Sequence, residues 1–481
     1  MDGWQDEPRR RLRFDRRALL GAGAASFLVS RSVAALAAVA GDVLRPEDFG
    51  ARGDGVANDT GAFAALAAEV NRRGGGTIVL RRTTYVVGGQ QPGTDGLWAF
   101  APAPVLSLHG LTRALTIEGN GATLRCAPGL LYGTFDRDRR PVRRPLPNYK
   151  PGEIASPYEA MIKIVGCRGE ISIRDLELDG NMAALRLGGA YGDTGYQIPA
   201  RGLDLTDNEA AETVANVRSH HHALDGISIN GREDRSGRGR FEDVISEYNG
   251  RQGVSIVGGR GYDFVRCKFN HTGRSVIQSA PGAGVDIEAE NGKRNRDFTF
   301  TDCEFSDNYG VGMLADSGDT ERATFTRCRF IGTTGWSAWP KKPLFRFFAC
   351  RFVGSVVNCH GDPNPERAAQ FHDCTFTDDP KLAPGGKVYR EGRPDGALVD
   401  LSDSANVLFS RCRFEAVGGA VLPWSSGAIY SNCVMHQTSR TTGHPRGTYL
   451  GRNAISSAGD VNLYGARVRG ELTVNGKAVH P

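Results

Sequence analysis

The chain has 481 residues, room for two to four ordinary domains or for one long repeat array. Its 63 glycines are about twice the usual share and follow no collagen period, which fits many short strands and tight turns. Net charge is +5, but residues 1–40 hold seven arginines against four acids, so the remainder is nearly balanced and offers no electrostatic case for nucleic acid.

The chain opens on an address. Arg9, Arg10, Arg11 and Arg13 lead into Arg16-Arg17-Ala18-Leu19-Leu20, then an apolar, alanine-rich stretch ends in Ala38-Val39-Ala40. Adjacent arginines, a weakly hydrophobic core and a small-residue cleavage site resemble a twin-arginine export signal over 1–40. A plain secretory signal or a membrane anchor is the alternative, and Arg31 interrupts the run that an anchor of about 20 residues needs. The expected location is therefore periplasmic or secreted. No stable membrane insertion is expected after signal cleavage, because no other stretch is long and apolar enough.

After the signal the chain reads DFGARGDGVANDTGAF (48–63), then GGGTIVL (74–80) and later DLELDGN (175–181). Asp59 or Thr60 is placed to cap a short helix whose Phe63, Leu66 and Val70 make one apolar stripe. Further on, seven of ten cysteines share one context: FVRCKF, FTDCEF, FTRCRF, FFACRF, FHDCTF, FSRCRF and YSNCVM, centred on Cys267, Cys303, Cys328, Cys350, Cys374, Cys412 and Cys433. Leu176, Val217 and Val244 hold the same slot upstream. An internal repeat of roughly 22–27 residues with some longer units, built of short Val/Ile/Phe strands, predicts a parallel β-helix whose coils stack about 4.8 Å apart. Cysteine in one inward slot is then packing rather than a disulfide framework: seven is odd, and side chains stacked in register lie parallel.

The segments at 48–63, 74–80 and 175–181 resemble the N-terminal part of the pectate-lyase-like superfamily, which includes polygalacturonases, mannuronan epimerases and phage tailspikes. The resemblance implies an all-β, single-stranded right-handed parallel β-helix (a solenoid) over 41–481, with a short N-terminal capping helix and first strand in 41–80. It also implies a polysaccharide partner, without fixing the chemistry. The superfamily's motifs are not reproduced here. Polygalacturonases carry paired aspartates and Gly-His-Gly, but Asp378-Asp379 runs into Pro380, and His109 and His360 lack the first glycine. The epimerases' Asp-Pro-His-Glu has only His222-Ala223-Leu224-Asp225 as a local parallel.

The strand GAGVDIEAE (282–290) puts Asp286, Glu288 and Glu290 on one side and Val285, Ile287 and Ala289 on the other. Aligning GISIN (226–230), GVSIV (253–257), GVDIE (284–288) and GVGML (310–314) points Val285/Ile287 inward in line with Val311/Met313. Ser228, Asn230, Ser255, Asp286 and Glu288 then face outward, and Asp316 follows on the same side. The preceding stretch HTGRSVIQSAPGAG (271–284) is expected to build a groove wall carrying His271 and Arg274, with Lys268 nearby. Trp336 and Trp339 follow one coil on, with Trp339 placed level with Glu288 as a platform for a sugar ring.

Outward residues two apart lie about 6.6 Å apart, at the low edge of the window for inverting glycoside hydrolysis. Asp286 and Glu288 are thus the leading catalytic pair, with Asp316 in support. Asp286, Glu288 and Glu290 holding Ca²⁺ would instead assist uronate elimination or epimerisation, with Arg274, Lys268 or His271 as base. Two further readings remain. The acids are solvated and matched by Arg294 and Arg296, or the β-helix binds glycan without cleaving it. His222 with Asp225 is a weaker acid–base candidate, His360 with Asp362 weaker still. The run His220-His221-His222 is not metal-spaced, since neighbours on a strand point apart.

Overall fold

A computed structural model describes residues 43–92, 100–142, 154–189, 198–390 and 396–479. The expected export signal lies outside them. Among the described residues, thirty-five strands hydrogen-bond into one continuous wound sheet. Strands of successive coils pair in parallel, as at Phe264↔Phe300 and Phe300↔Phe325. Each complete coil presents three faces. A typical one runs Asn295–Thr301, Glu304–Asn308 and Met313–Ala315. Because strands of the coil body are followed by a parallel neighbour one coil later, backbone donors and acceptors are satisfied between coils and the interior is left to side chains.

The cysteine repeat marks the corner between the first and second faces. The residue just before each cysteine is left-handed: Arg266, Asp302, Arg327, Ala349, Asp373, Arg411 and Asn432 have φ between 51° and 56°. That single αL residue bends the chain through the corner. Asp175, Asn216 and Asp243 do the same ahead of Leu176, Val217 and Val244. All ten cysteines are buried and unpaired with one another, as the packing reading expects. The thiols of the seven repeat cysteines point to carbonyls of the preceding coil, as Cys328 Sγ does to Phe300 O at 3.4 Å.

Two aromatic columns flank this corner inside the coil. Phe264, Phe300, Phe325, Phe347 and Phe371 stack with centroids 4.5, 4.7, 4.8 and 4.6 Å apart. Phe305, Phe330, Phe352 and Phe376 stack at 4.6, 4.7 and 4.9 Å. The ring spacing is that of the coils, so the backbone repeat dictates the aromatic contacts.

The expected helix spans Thr60–Arg73 and buries Phe63, Leu66, Ala67 and Val70. Asp59 is its N-terminal residue but does not cap it: its carboxylate accepts from the Arg52 and Gly53 backbone N–H groups, tying the preceding loop. Asn58 accepts from the Thr60 N–H instead. At the other end Gly74 is left-handed, φ 73°, and closes the helix. No helix among the described residues is long and apolar enough to cross a membrane.

Candidate functional site: an acidic cleft on the third face

The third face carries Arg201–Thr206, Asp225–Asn230, Gln252–Ile256, Ala283–Ile287, Met313–Ala315 and Ala338–Pro340 in successive coils. Ser228, Ser255 and Asp286 follow one another in register. Val285 and Ile287 are core residues, so Asp286 and Glu288 face away from the core.

One coil further, the register differs from the sequence alignment. Val285 pairs with Met313, not Val311, and Asp286 pairs with Leu314. Val311 therefore leaves the coil interior and packs with Ala283 and Leu314 in a small satellite cluster on which Trp336 and Trp339 rest. Leu314 in turn pairs with Trp339, which sits level with Asp286 and not, as expected, with Glu288.

The acids border a cleft of about 240 Å³ lined by Arg251, Gln252, Ser255, Val257, Ala280, Pro281, Asp286, Glu288, Glu290, Leu314, Asp316 and Ser317. Asp286 is 3% exposed. Its Oδ2 accepts from Gln252 Nε2 at 2.5 Å, while its Oδ1 and Gln252 Oε1 are buried with no protein partner. Burial, and then the Glu288 charge, push the Asp286 carboxyl well above the usual range. Arg251 opposes this, and Asp316 and Asp225 add to it. Ser317 Oγ donates to Glu288 Oε1. The more exposed Glu290 is also raised, by its partial burial and by Glu288. Arg294 and Arg296, the expected counter-charges, pair instead with Asp319, at 3.2 and 2.6 Å. Among the described residues no ion pair reaches Asp286, Glu288 or Asp316. Lys342, held down by its own burial, feels Asp316 and Glu288 from nearby.

A second hollow of about 530 Å³ adjoins this one and shares Pro281 and Leu314 with it. Tyr309, Trp336, Trp339 and Tyr389 supply its aromatic lining. The two indoles meet edge to face at 4.9 Å. An acidic trough opening onto an aromatic hollow combines proton-transfer groups with a stacking surface.

The remaining predicted residues lie elsewhere. The long stretch before the acid strand does line the cleft, through Ala280 and Pro281. His271 and Arg274 turn to another corner, where both bind Asp307, at 3.1 and 3.0 Å. Lys268 is exposed on the second face, in register with Glu304. Ser228 is one coil below Ser255, and the Asn230 carbonyl accepts from Lys293. His222 is fully buried: its Nδ1 is 2.8 Å from Tyr158 Oη and its Nε2 3.1 Å from Leu178 O. Burial drives its pKa down to about 3, so the ring is a neutral core group. Asp225 is fully buried too, in a two-pronged bond with Arg251 at 2.7 and 2.8 Å, and no contact joins it to His222. His360 lies 3.5 Å from Asp362.

The three acids named for Ca²⁺ do not converge. Asp286, Glu288 and Glu290 are not among the trios of described residues whose ligand atoms all lie within 4.8 Å of one another. The residues that sequence reasoning missed are Arg251, Gln252, Ser317, Leu314 and Tyr389. Arg251-Gln252 immediately precedes GVSIV just as Asp225 precedes GISIN, a signal that the alignment already contained.

Residues 194–342, which include the acid strand, match the family model described as right handed beta helix region. No curated protein matches the chain. Among solved structures, the N-terminal fragment of bacteriophage Phi29 gene product 12 superposes with a TM-score of 0.51 at 12% identity, covering 91% of this chain and 73% of that one. The mannuronan C-5 epimerase AlgE4 A-module of Azotobacter vinelandii gives 0.43 at 16% identity, covering 89% and 97%. The tailspike gp49 from Acinetobacter baumannii bacteriophage Fri1, a capsular polysaccharide depolymerase, gives 0.43 at 13%, covering 89% and 64%. The fold is that of the right-handed parallel β-helix, as the resemblance to the pectate-lyase-like superfamily implies.

Proposed function

We propose that this β-helix is exported and acts on a polysaccharide, cleaving it by hydrolysis with Asp286 and Glu288. One observation carries the reading: a buried carboxyl, its pKa pushed up by burial, lies two residues from a second carboxylate, in a cleft that opens onto an aromatic hollow. Asp286 would give its proton to the departing glycosidic oxygen, positioned by the Gln252 amide. Glu288, held by Ser317, would take a proton from the attacking water, and a spacing near 6.6 Å leaves room for that water on the opposite face of the sugar. Asp316 adds to the upward push on the Asp286 carboxyl, and Trp339 and Trp336 supply a platform for a neighbouring ring.

Hydrolysis is favoured over calcium-assisted elimination or epimerisation because Asp286, Glu288 and Glu290 do not bring their ligand atoms together. The arginine pair in the signal supports twin-arginine export to the periplasm or beyond. A glycan panel read by product mass tests the reading. Wild type is expected to release fragments that have gained water, and Glu288→Gln to release none. A chelator-sensitive unsaturated uronate would contradict hydrolysis. Binding without any shortening would contradict catalysis.

A further inference from the structure

On the second face, Asp179, His220 and Glu247 pair in register across three coils, with His221 in the turn that follows. Strand alternation would send consecutive histidines to opposite sides, yet these two converge. His221 is left-handed, φ 54°, and that turn swings its ring back until His220 Nδ1 and His221 Nδ1 are 2.7 Å apart. Asp179 Oδ1 lies 3.8 Å from His220 Nδ1, and ligand atoms of all three residues fall within 4.8 Å of one another.

We propose that Asp179, His220 and His221 form a binding site for a divalent transition-metal ion of the zinc type. Two imidazole nitrogens and one carboxylate oxygen are the borderline donor set such ions take, and three protein ligands leave a position for water. The surroundings orient the donors. Glu177 Oε1 is 3.0 Å from His220 Nε2; a carboxylate there only accepts, so the neutral ring keeps its proton on Nε2 and turns the bare Nδ1 toward His221. His221 is held flat against Tyr248 at 5.1 Å, and Tyr248 against His271 at 4.7 Å. Arg125 and the Asn181 backbone N–H fix the Asp179 carboxylate, at 2.8 Å each. The metal would replace the proton that otherwise bridges the two Nδ1 atoms, and His221 would carry its own proton on Nε2.

Charge favours a cation. The groups facing the pair are the carboxylates of Glu177, Asp179 and Glu247 and the guanidinium groups of Arg125 and Arg218, a net charge of −1 with both rings neutral. The side chains of His220 and Asp179 retain 8% and 13% exposure, enough for an ion to enter from solvent.

The inference is independent of the acidic cleft, which lies on the third face. Tag-free full-length protein, dialysed and titrated with Zn²⁺ by calorimetry and with Co²⁺ by visible absorption, is the test. One ion per chain is expected at pH 7.5, with Zn²⁺ raising the thermal midpoint. His221→Gln, whose half-exposed ring can be replaced without opening the core, should weaken binding by about 10- to 100-fold, and Asp179→Asn by about tenfold. His271→Gln should leave it unchanged. Binding absent from folded wild type, or surviving in folded His220→Gln/His221→Gln, would overturn the proposal and leave a proton as the bridge between the rings.

Discussion

Along the cysteine corner, acids and arginines alternate from coil to coil: Asp243 meets Arg266 at 2.8 Å, Asp302 meets Arg327 at 2.7 Å, and Asp373 meets Arg411 at 2.7 Å. On the third face, Asp286, Glu288 and Asp316 gather with no arginine or lysine among the described residues ion-paired to them. Both surfaces are outward and both are built on the same repeat. On the corner, Asp302 is held below its ordinary pKa by the Arg327 bond. In the cleft, Asp286 is driven up by burial and by its neighbours. The contrast teaches where the fold spends charge on holding coils together and where it keeps charge costly and available for chemistry.

Glu288→Gln strikes the uncompensated surface hardest. Glycan cleavage should fall by roughly 10²–10⁴-fold with the circular dichroism spectrum unchanged, whereas Asp302→Asn should leave the rate within twofold. If the corner variant lost as much activity as the cleft variant, the contrast would fail. Beneath both surfaces, Phe325→Ala removes a ring stacked on Phe300 and Phe347 and should cost about 3–5 kcal/mol in denaturant unfolding. Trp339→Ala should weaken glycan binding by about tenfold while altering kcat little, since it removes a platform rather than a proton donor.

Smaller effects sharpen the sign. With its folded pKa raised, Asp286 keeps a proton that the unfolded chain releases near pH 4, so its contribution to stability is lost as pH rises from that point through the folded value. Asp286→Asn should therefore match wild type in unfolding free energy near pH 3 and exceed it at pH 8, by on the order of 1 kcal/mol. Asp302→Asn should shift stability least, by about 0–1 kcal/mol, as exposed ion pairs do.

The coil and its core were legible because a repeated slot needs no tertiary information: Cys267 to Cys433 mark one corner, and the aromatics around them mark two columns. The left-handed residue ahead of each cysteine was not read, although Asp, Asn and Arg recur there, because a sequence prints no φ. The site was legible in part. Asp286 and Glu288 do border a cleft, but GVGML misled the alignment. A two-residue offset, with Val311 packed against Ala283 outside the coil interior, looks the same as perfect register when only apolar residues are counted. The histidine run failed for the same reason as the corners. Alternation governs extended strands, and His221 is not extended.

The contrast between the two surfaces is tested most directly by carboxyl titration, followed by ¹³C NMR of protein labelled at aspartate and assigned with Asp286→Asn and Asp302→Asn. The account predicts that the Asp286 signal remains in its protonated form well above the ordinary aspartate range, while Asp302 ionises below it. An Asp286 that titrates at an ordinary value, in step with the exposed aspartates, would contradict the claim that this cleft keeps a carboxyl ready to give up its proton.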